Sequence, residues 1–223
     1  MVDIIPRRMT DRKAHWDAIF KNKASPELTW YQPHMALSLE LILATGLSKD
    51  APILDIGCGD STLVDDLLDS GFTDLTVLDI SSLALERSRE RLGGLASLVT
   101  WLEGDITELD LPTGKYCLWH DRAVFHFLTD PVERGLYVLA TRRAMAPGGY
   151  LIIATFAIDG PEKCSGLPVM RYSAETLSRE FGSYFSLIES MLETHHTPWG
   201  GEQRFQYSLF QYLPGAAQPG DSM

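Results

Sequence analysis

The sequence predicts an α/β fold, a three-layer αβα sandwich on a mostly parallel sheet, from three observations. Short apolar runs alternate with segments of helical periodicity through most of the chain. Several runs are apolar without alternation, as buried strands are. And 223 residues, 45% of them hydrophobic, suffice for one core without requiring a second domain. Repeated strand–helix–strand units then imply helices on both faces of the sheet.

Two helices are expected before the first strand. One spans Asp11 to Lys21, and the other, His34 to Gly46, is apolar enough to pack on the sheet. Ala51 to Ile56 reads as a buried strand. Leu63, Val64, Leu67 and Leu68 then mark a helix from Thr62 to Ser70, with Gly71 at its end. Leu75 to Leu78 is a second strand ending at Asp79, and Ser81 or Ser82 caps a helix through Arg91. Leu98 to Leu102 and Tyr116 to Trp119 are the third and fourth strands. Asp130, Pro131 and Glu133 supply a cap, a first-turn proline and an acid, so a helix begins there and stops before Pro147-Gly148-Gly149. Tyr150 to Phe156 is the fifth strand. A helix from Ser173 to Phe181 precedes two further strands, Tyr184 to Glu193 and Arg204 to Tyr212, joined as a hairpin through Thr197 to Gln203. The Gly-, Pro- and Ala-rich end from Pro214 to Met223 is expected to be disordered.

Composition narrows the function. A net charge of −11 argues against a broad nucleic-acid footprint, which needs many cations beside phosphates. The N-terminal exception, Arg7, Arg8, Arg12, Lys13, Lys21 and Lys23 against Asp3, Asp11 and Asp17, reads as a solvated helix face or a site for an anionic partner. No apolar run approaches the ~20 residues of a membrane span, and Met1 to Thr10 lacks the apolar centre of a secretory signal. Cys58, Cys117 and Cys164 are odd in number and never paired as CxxC, which disfavours disulfides and thiol metal sites. A cytoplasmic protein is expected. Its oligomeric state is not legible.

The chemistry concentrates at strand ends. The first strand runs into Asp55-Ile56-Gly57-Cys58-Gly59, where two glycines let the backbone pass close to a ligand. A dinucleotide fingerprint would place a third glycine at position 62, which is Thr62; the loop suits a nucleoside without a pyrophosphate. Asp79, 24 residues after Asp55, ends the second strand where a carboxylate accepts from ribose hydroxyls. Beyond the third strand, Gly104-Asp105-Ile106 offers an acid for an adenine amino group and an apolar cover for its ring.

Ile53 to Gly59 (ILDIGCG), Asp79 with Ile80, and Gly104-Asp105-Ile106 resemble the first three motifs of class I methyltransferases dependent on S-adenosylmethionine (SAM). Ala146-Pro147-Gly148-Gly149 resembles the turn before that family's fifth strand. The resemblance covers roughly residues 35 to 212. It implies a Rossmann-like sheet of seven strands, order 3-2-1-4-5-7-6, with the last strand antiparallel. It implies SAM as cofactor and S-adenosylhomocysteine as product. Asp55 and Gly57 would serve the methionine end, Asp79 the ribose, and Asp105 and Ile106 the adenine, with Cys58, Gly59, Ile80, Gly104 and His120 also against the cofactor. His15-Trp16-Asp17 with Leu28-Thr29-Trp30-Tyr31 is similar to an N-terminal element of a subgroup holding small bacterial enzymes and some protein-lysine methyltransferases. Residues 1–34 would then form a helix and lid on a binding domain of residues 35–212. Trp30 and Tyr31 either face cofactor or substrate, or anchor the first helix.

The fourth strand ends at His120-Asp121-Arg122, facing the transferable methyl in such a fold. His120 has a proton affinity suited to a base near neutrality and lies within reach of the cofactor. Asp121 would orient an amine, and Arg122 would bind a carboxylate or pair with Asp121. The alternative is that the trio caps the next helix. His126, among Phe125 and Phe127, is expected in the core. His195-His196 does not suit one metal, because neighbours on a strand face opposite ways. No Asn-Pro-Pro-Tyr-like segment follows the fourth strand, which disfavours adenine-N6 or glutamine as acceptor. The acceptor, a small molecule or a protein lysine, is left open. The segment from Ala157 to Tyr172 reads as a long loop over the pocket. Two other functions stay in view: a non-catalytic nucleoside-binding module and an NAD-dependent oxidoreductase.

Overall fold

A computed structural model describes residues 5–215, with side chains from residue 11 onward; Arg7, Arg8 and the stretch 216–223 lie outside the described side chains. In chain order the elements are helix α1 (Ile5–Asn22), α2 (Ala36–Ala44), strand β1 (Ile53–Ile56), α3 (Leu63–Asp69), β2 (Leu75–Asp79) and α4 (Ser82–Leu92). Then follow β3 (Val99–Glu103), β4 (Tyr116–Arg122), α5 (Pro131–Ala144), β5 (Met145–Phe156), the short pair β6 (Lys163–Cys164) and β7 (Leu167–Pro168), α6 (Ala174–Phe181), β8 (Phe185–His196) and β9 (Glu202–Tyr212). Seven strands form one sheet in the order β3-β2-β1-β4-β5-β9-β8. With the two short strands set aside, this is the expected order. β9 runs antiparallel to both β5 and β8, and the other sheet pairings are parallel.

Local chemistry sets the boundaries. The Ser81 hydroxyl accepts the Ala84 amide at the head of α4, and Gly93 at φ +56° ends it. Asp130 accepts from the Val132 amide at 2.9 Å, with Pro131 in the first turn of α5. Ser173 and Thr176 form a capping box on α6. At the start of β5 the register with β4 slips: Tyr116 faces Met145, and pairing resumes with Leu118 opposite Tyr150. Gly149 sits in that bulge, where a Cβ would lie 2.9 Å from the carbonyls of Ala146 and Cys117. The segment expected as an open loop, 157–172, instead carries the small β6–β7 hairpin.

The inner strands β1, β2, β4, β5 and β9 are largely buried on both faces, so successive residues feed two cores. Ile53, Leu118, Ile152 and Leu209 pack with α2, α3 and α4 on one side. Leu54, Ile56, Trp119, Ile153 and Phe210 pack with α5 and α6 on the other. Parity along β4 thereby decides which core each of its last residues enters. Among the described residues, no helix is long and apolar enough to cross a membrane.

Candidate functional site

A cleft of about 1300 Å³ opens at the carboxyl edge of β1, β2, β3 and β4, where open parallel sheets hold ligands. Its floor begins at Asp55. Gly57 follows at φ +63°, and a Cβ there would lie 2.0 Å from Val124 Cγ2. Gly59 is also left-handed, with Phe20 of α1 at the limit of contact with an added Cβ. The loop therefore stays open because neither residue has a side chain. Cys58 lines the cleft, and burial followed by the nearby Asp79 pushes its thiol well above the usual range.

Asp79 ends β2 and grips this loop. One carboxylate oxygen accepts the Gly59 amide at 2.8 Å and the other the Ser81 amide at 2.8 Å. Burial pushes its carboxyl up to about 6 against those two bonds. Each oxygen keeps a lone pair for a further donor. Beyond β3, Asp105 accepts from the Thr107 amide at 2.9 Å and hydroxyl at 2.7 Å through one oxygen. Its other oxygen takes Arg12 at 3.2 Å. Gly104, Ile80 and the buried Ile106 complete this end of the cleft.

Of the described N-terminal cations, Arg12 and Lys13 are engaged within the molecule, while Lys21 and Lys23 are exposed. Arg12 bridges Asp105 and Glu133, the latter at 2.5 Å. Lys13 pairs with Glu103 at 2.9 Å and Asp17 at 3.1 Å, and also reaches the Ile80 carbonyl. Asp17 in turn accepts from the Ser81 hydroxyl at 2.6 Å. Arg12 and Lys13 thus hold α1 across the Asp105 end of the cleft rather than forming a solvated face.

At the end of β4 the trio divides by parity. His120 lies opposite Asp55 in the sheet register and faces the α2 side, lining the cleft. Its Nδ1 is 2.7 Å from Asp55 and its Nε2 2.9 Å from the Ser38 hydroxyl, so both ring nitrogens are engaged. Asp121 faces the other core and is outside the cleft lining. It accepts from Tyr137 at 2.5 Å and from the amides of Val124 and Phe125, and burial pushes its carboxyl up to about 6. The reading of Asp121 as a substrate-orienting group gives way to the capping alternative. It secures the turn in which Ala123 adopts φ +72°.

Arg122 does not meet Asp121. Its Nε donates to the Tyr207 hydroxyl at 2.9 Å, its Nη1 to the Trp30 carbonyl at 3.3 Å, and its plane lies 4.2 Å from the Phe205 ring centroid. Glu193 approaches Nη2 at 3.8 Å. The guanidinium is thereby a strut for the 29–32 segment. Trp30 and Tyr31 line the cleft, and Trp30 also packs edge-on to Trp16 and Phe20 of α1, so facing the cleft and anchoring the helix coexist. His126 is buried, its Nδ1 accepts the Phe156 amide at 3.3 Å, and burial, then Arg122, lowers it to about 3. His195 is buried and His196 exposed.

Ser38, Gln32, Tyr207, Glu193 and His195 escaped the sequence reading. His195 Nε2 donates to the Thr29 carbonyl at 2.8 Å, and its Nδ1 then accepts from Gln32 at 3.2 Å. None of these five sits in a recognisable motif; the sheet order brings Glu193, His195 and Tyr207 to the site, and Ser38 and Gln32 come from α2 and the segment before it.

A family model described as a methyltransferase domain matches residues 53–149. The sheet order, the cleft and this match make the chain similar to class I SAM-dependent methyltransferases. Over 212 residues the chain is 28% identical to the eEF1A lysine and N-terminal methyltransferase of Mus musculus, covering 92% of this chain but 28% of the relative. The chain thus spans a little over a quarter of that relative's length. It is 27% identical to the EEF1A lysine methyltransferase 2 of Danio rerio, covering 69% of this chain and 71% of the relative. Among solved structures it resembles a SAM-dependent methyltransferase from Anabaena variabilis, with TM-score 0.69, 16% identity, and 92% and 95% of the two chains covered. It also resembles the N-methyltransferase NodS of Bradyrhizobium japonicum in complex with S-adenosylhomocysteine, with TM-score 0.67, 17% identity, and 89% and 98% covered.

Proposed function

We propose that this chain transfers the methyl group of SAM to an acceptor held beneath the Trp30–Tyr31 segment, releasing S-adenosylhomocysteine. The observation that carries the reading is Asp79. Its buried carboxylate is fixed by two backbone amides at a strand end, beside a loop that two glycines keep clear. These residues suit the cofactor: Asp79 and Ile80 take the ribose, Gly104, Asp105 and Ile106 the adenine, and Asp55, Gly57, Cys58 and Gly59 the methionine end. SAM supplies a methyl already activated on a sulfonium, so alignment of the acceptor provides most of the rate.

Residues 1–34 serve as a helix and lid, with Trp30 and Tyr31 on the acceptor side and Arg122 holding the lid down. Residues 35–212 form the binding domain. His120 touches the cofactor's methionine end. With both its nitrogens occupied, an acceptor that arrives protonated needs another route for its proton. The acceptor is a small molecule or a protein lysine, and the relatives' printed names favour trying the latter first. No nucleic-acid or membrane partner is invoked, and the site of action is taken as cytoplasmic.

Calorimetric titration with SAM, S-adenosylhomocysteine and NAD tests the cofactor. Saturable binding of the first two alone supports the reading, and binding of NAD alone would replace it with an oxidoreductase. Labelled SAM is then offered with lysine-containing protein and with small amines. Binding without transfer to any acceptor would leave a nucleoside-binding module.

A further inference from the structure

A run of buried polar side chains lies behind the acceptor end of the cleft, drawn from four elements. Asp55 comes from β1, His120 and Arg122 from β4, Ser38 from α2 and Tyr207 from β9. All five are at least nine-tenths buried. Asp55 meets His120 Nδ1 at 2.7 Å, and His120 Nε2 meets Ser38 at 2.9 Å. The Tyr207 hydroxyl accepts from Arg122 Nε at 2.9 Å and is near Ser38.

The two ends of the run have fixed roles. A guanidinium only donates and a carboxylate only accepts. Arg122 donates to Tyr207 and His120 Nδ1–H to Asp55; with the imidazole neutral, its Nε2 accepts from the Ser38 hydroxyl. Each ring nitrogen then has one assigned task, and bonds of this kind reinforce one another away from water. Ser38 and Tyr207 do not line the cleft, so they act through the residues that do.

We propose that Ser38 and Tyr207 are positioning residues that hold His120 as a neutral, Nδ1-protonated imidazole and, through it, aim the Asp55 carboxylate at the cofactor's methionine end. The assignment rests on the reading of the cleft as a SAM site. It makes His120 an orienting donor rather than a proton acceptor, because the Nε2 lone pair is already filled. The Asp55 oxygen not bonded to His120 is left for the cofactor's ammonium.

The test uses the full chain labelled with 15N-histidine at neutral pH. Wild type is expected to show a single Nδ1-protonated form of His120. In Ser38→Ala the ring is expected to exchange between forms, and SAM affinity to fall about tenfold, the scale of one lost hydrogen bond. Ser38→Thr, which keeps the hydroxyl, should restore both. Tyr207→Phe should shift both readouts in the same direction but less. Should Ser38→Ala fail to fold, Ser38→Thr and Tyr207→Phe carry the comparison. Folded Ser38→Ala with wild-type histidine spectra and wild-type SAM affinity would overturn the positioning role alone. A wild-type chain that binds no SAM would remove the cofactor reading and this assignment with it.

Discussion

Asp79 and Asp121 are both buried carboxyls raised to about 6, and that shared property has opposite consequences for stability and for binding. A carboxyl raised in the folded state stabilises the fold fully below its unfolded value of 3.8, and this contribution is lost as pH rises through about 6. Each group then costs on the order of 3 kcal/mol at neutral pH relative to its protonated form. Denaturant titrations of the cofactor-free chain should show this contribution growing between pH 7 and pH 4, and shrinking in Asp79→Asn. SAM affinity should run the other way, falling as Asp79 protonates, because a neutral carboxyl is a poorer acceptor for ribose hydroxyls. Calorimetry at pH 5 and pH 7.5 that gives equal affinities would remove Asp79 from the ribose. In Asp79→Ala binding should drop by two orders of magnitude or more, since loss of a charged acceptor is worth roughly 1.5–3 kcal/mol and the loop loses its grip as well. Ala123 is a separate matter of backbone. A non-glycine residue at φ +72° is strained, so Ala123→Gly should raise stability by up to about 1 kcal/mol in a denaturant melt.

At the scale of elements, α1 is the piece whose attachment is most open to manipulation. Its described polar contacts to the rest of the fold include the half-exposed ion pairs of Arg12 and Lys13, each worth about 1 kcal/mol or less. Arg12→Ala should therefore leave the melting temperature nearly unchanged while speeding SAM dissociation in stopped flow; a slower release would mean the helix does not cover the nucleoside. Elements were readable from the sequence wherever a chemical boundary marks them. Asp130-Pro131 and Ser173 cap α5 and α6 where expected. The strand reading stopped short on β4 and late on β5. β4 continues through His120-Asp121-Arg122 because polar residues there are paired inside the protein. β5 starts at Met145 because Gly149 lets the chain bulge and rejoin β4. The β6–β7 hairpin is only two residues deep on each side, below what periodicity can register.

At the scale of the whole molecule, the strand-end residues that gather in the cleft were legible and those behind the Trp30–Tyr31 segment were not, for a topological reason. Asp55, Gly57, Asp79 and Asp105 each lie just after a strand, so knowing the strands in order is enough to gather them. Tyr207 and His195 arrive because β9 inserts between β5 and β8 and carries the C-terminal hairpin back to the cleft, where they meet Ser38 of α2 and Gln32 of the segment before it. No local pattern announces that. This arrangement has a consequence for unfolding. The cleft draws on β1, β2, β3, β4, α1 and, through Gln203 and Phe205, β9, so a ligand bound there bears on the sheet from its β3 edge to β9. If those parts unfold together, SAM at a hundred times its dissociation constant should stabilise the chain by about 2.7 kcal/mol. For a domain of this size that raises the melting temperature by roughly 5–10 °C, in one transition. The ratio of calorimetric to van't Hoff enthalpy should stay near one with and without SAM. A two-step melt in which only the earlier step moves with SAM would show that the hairpin unfolds apart from the nucleoside half. In that case Arg122 would not couple the lid to the cofactor.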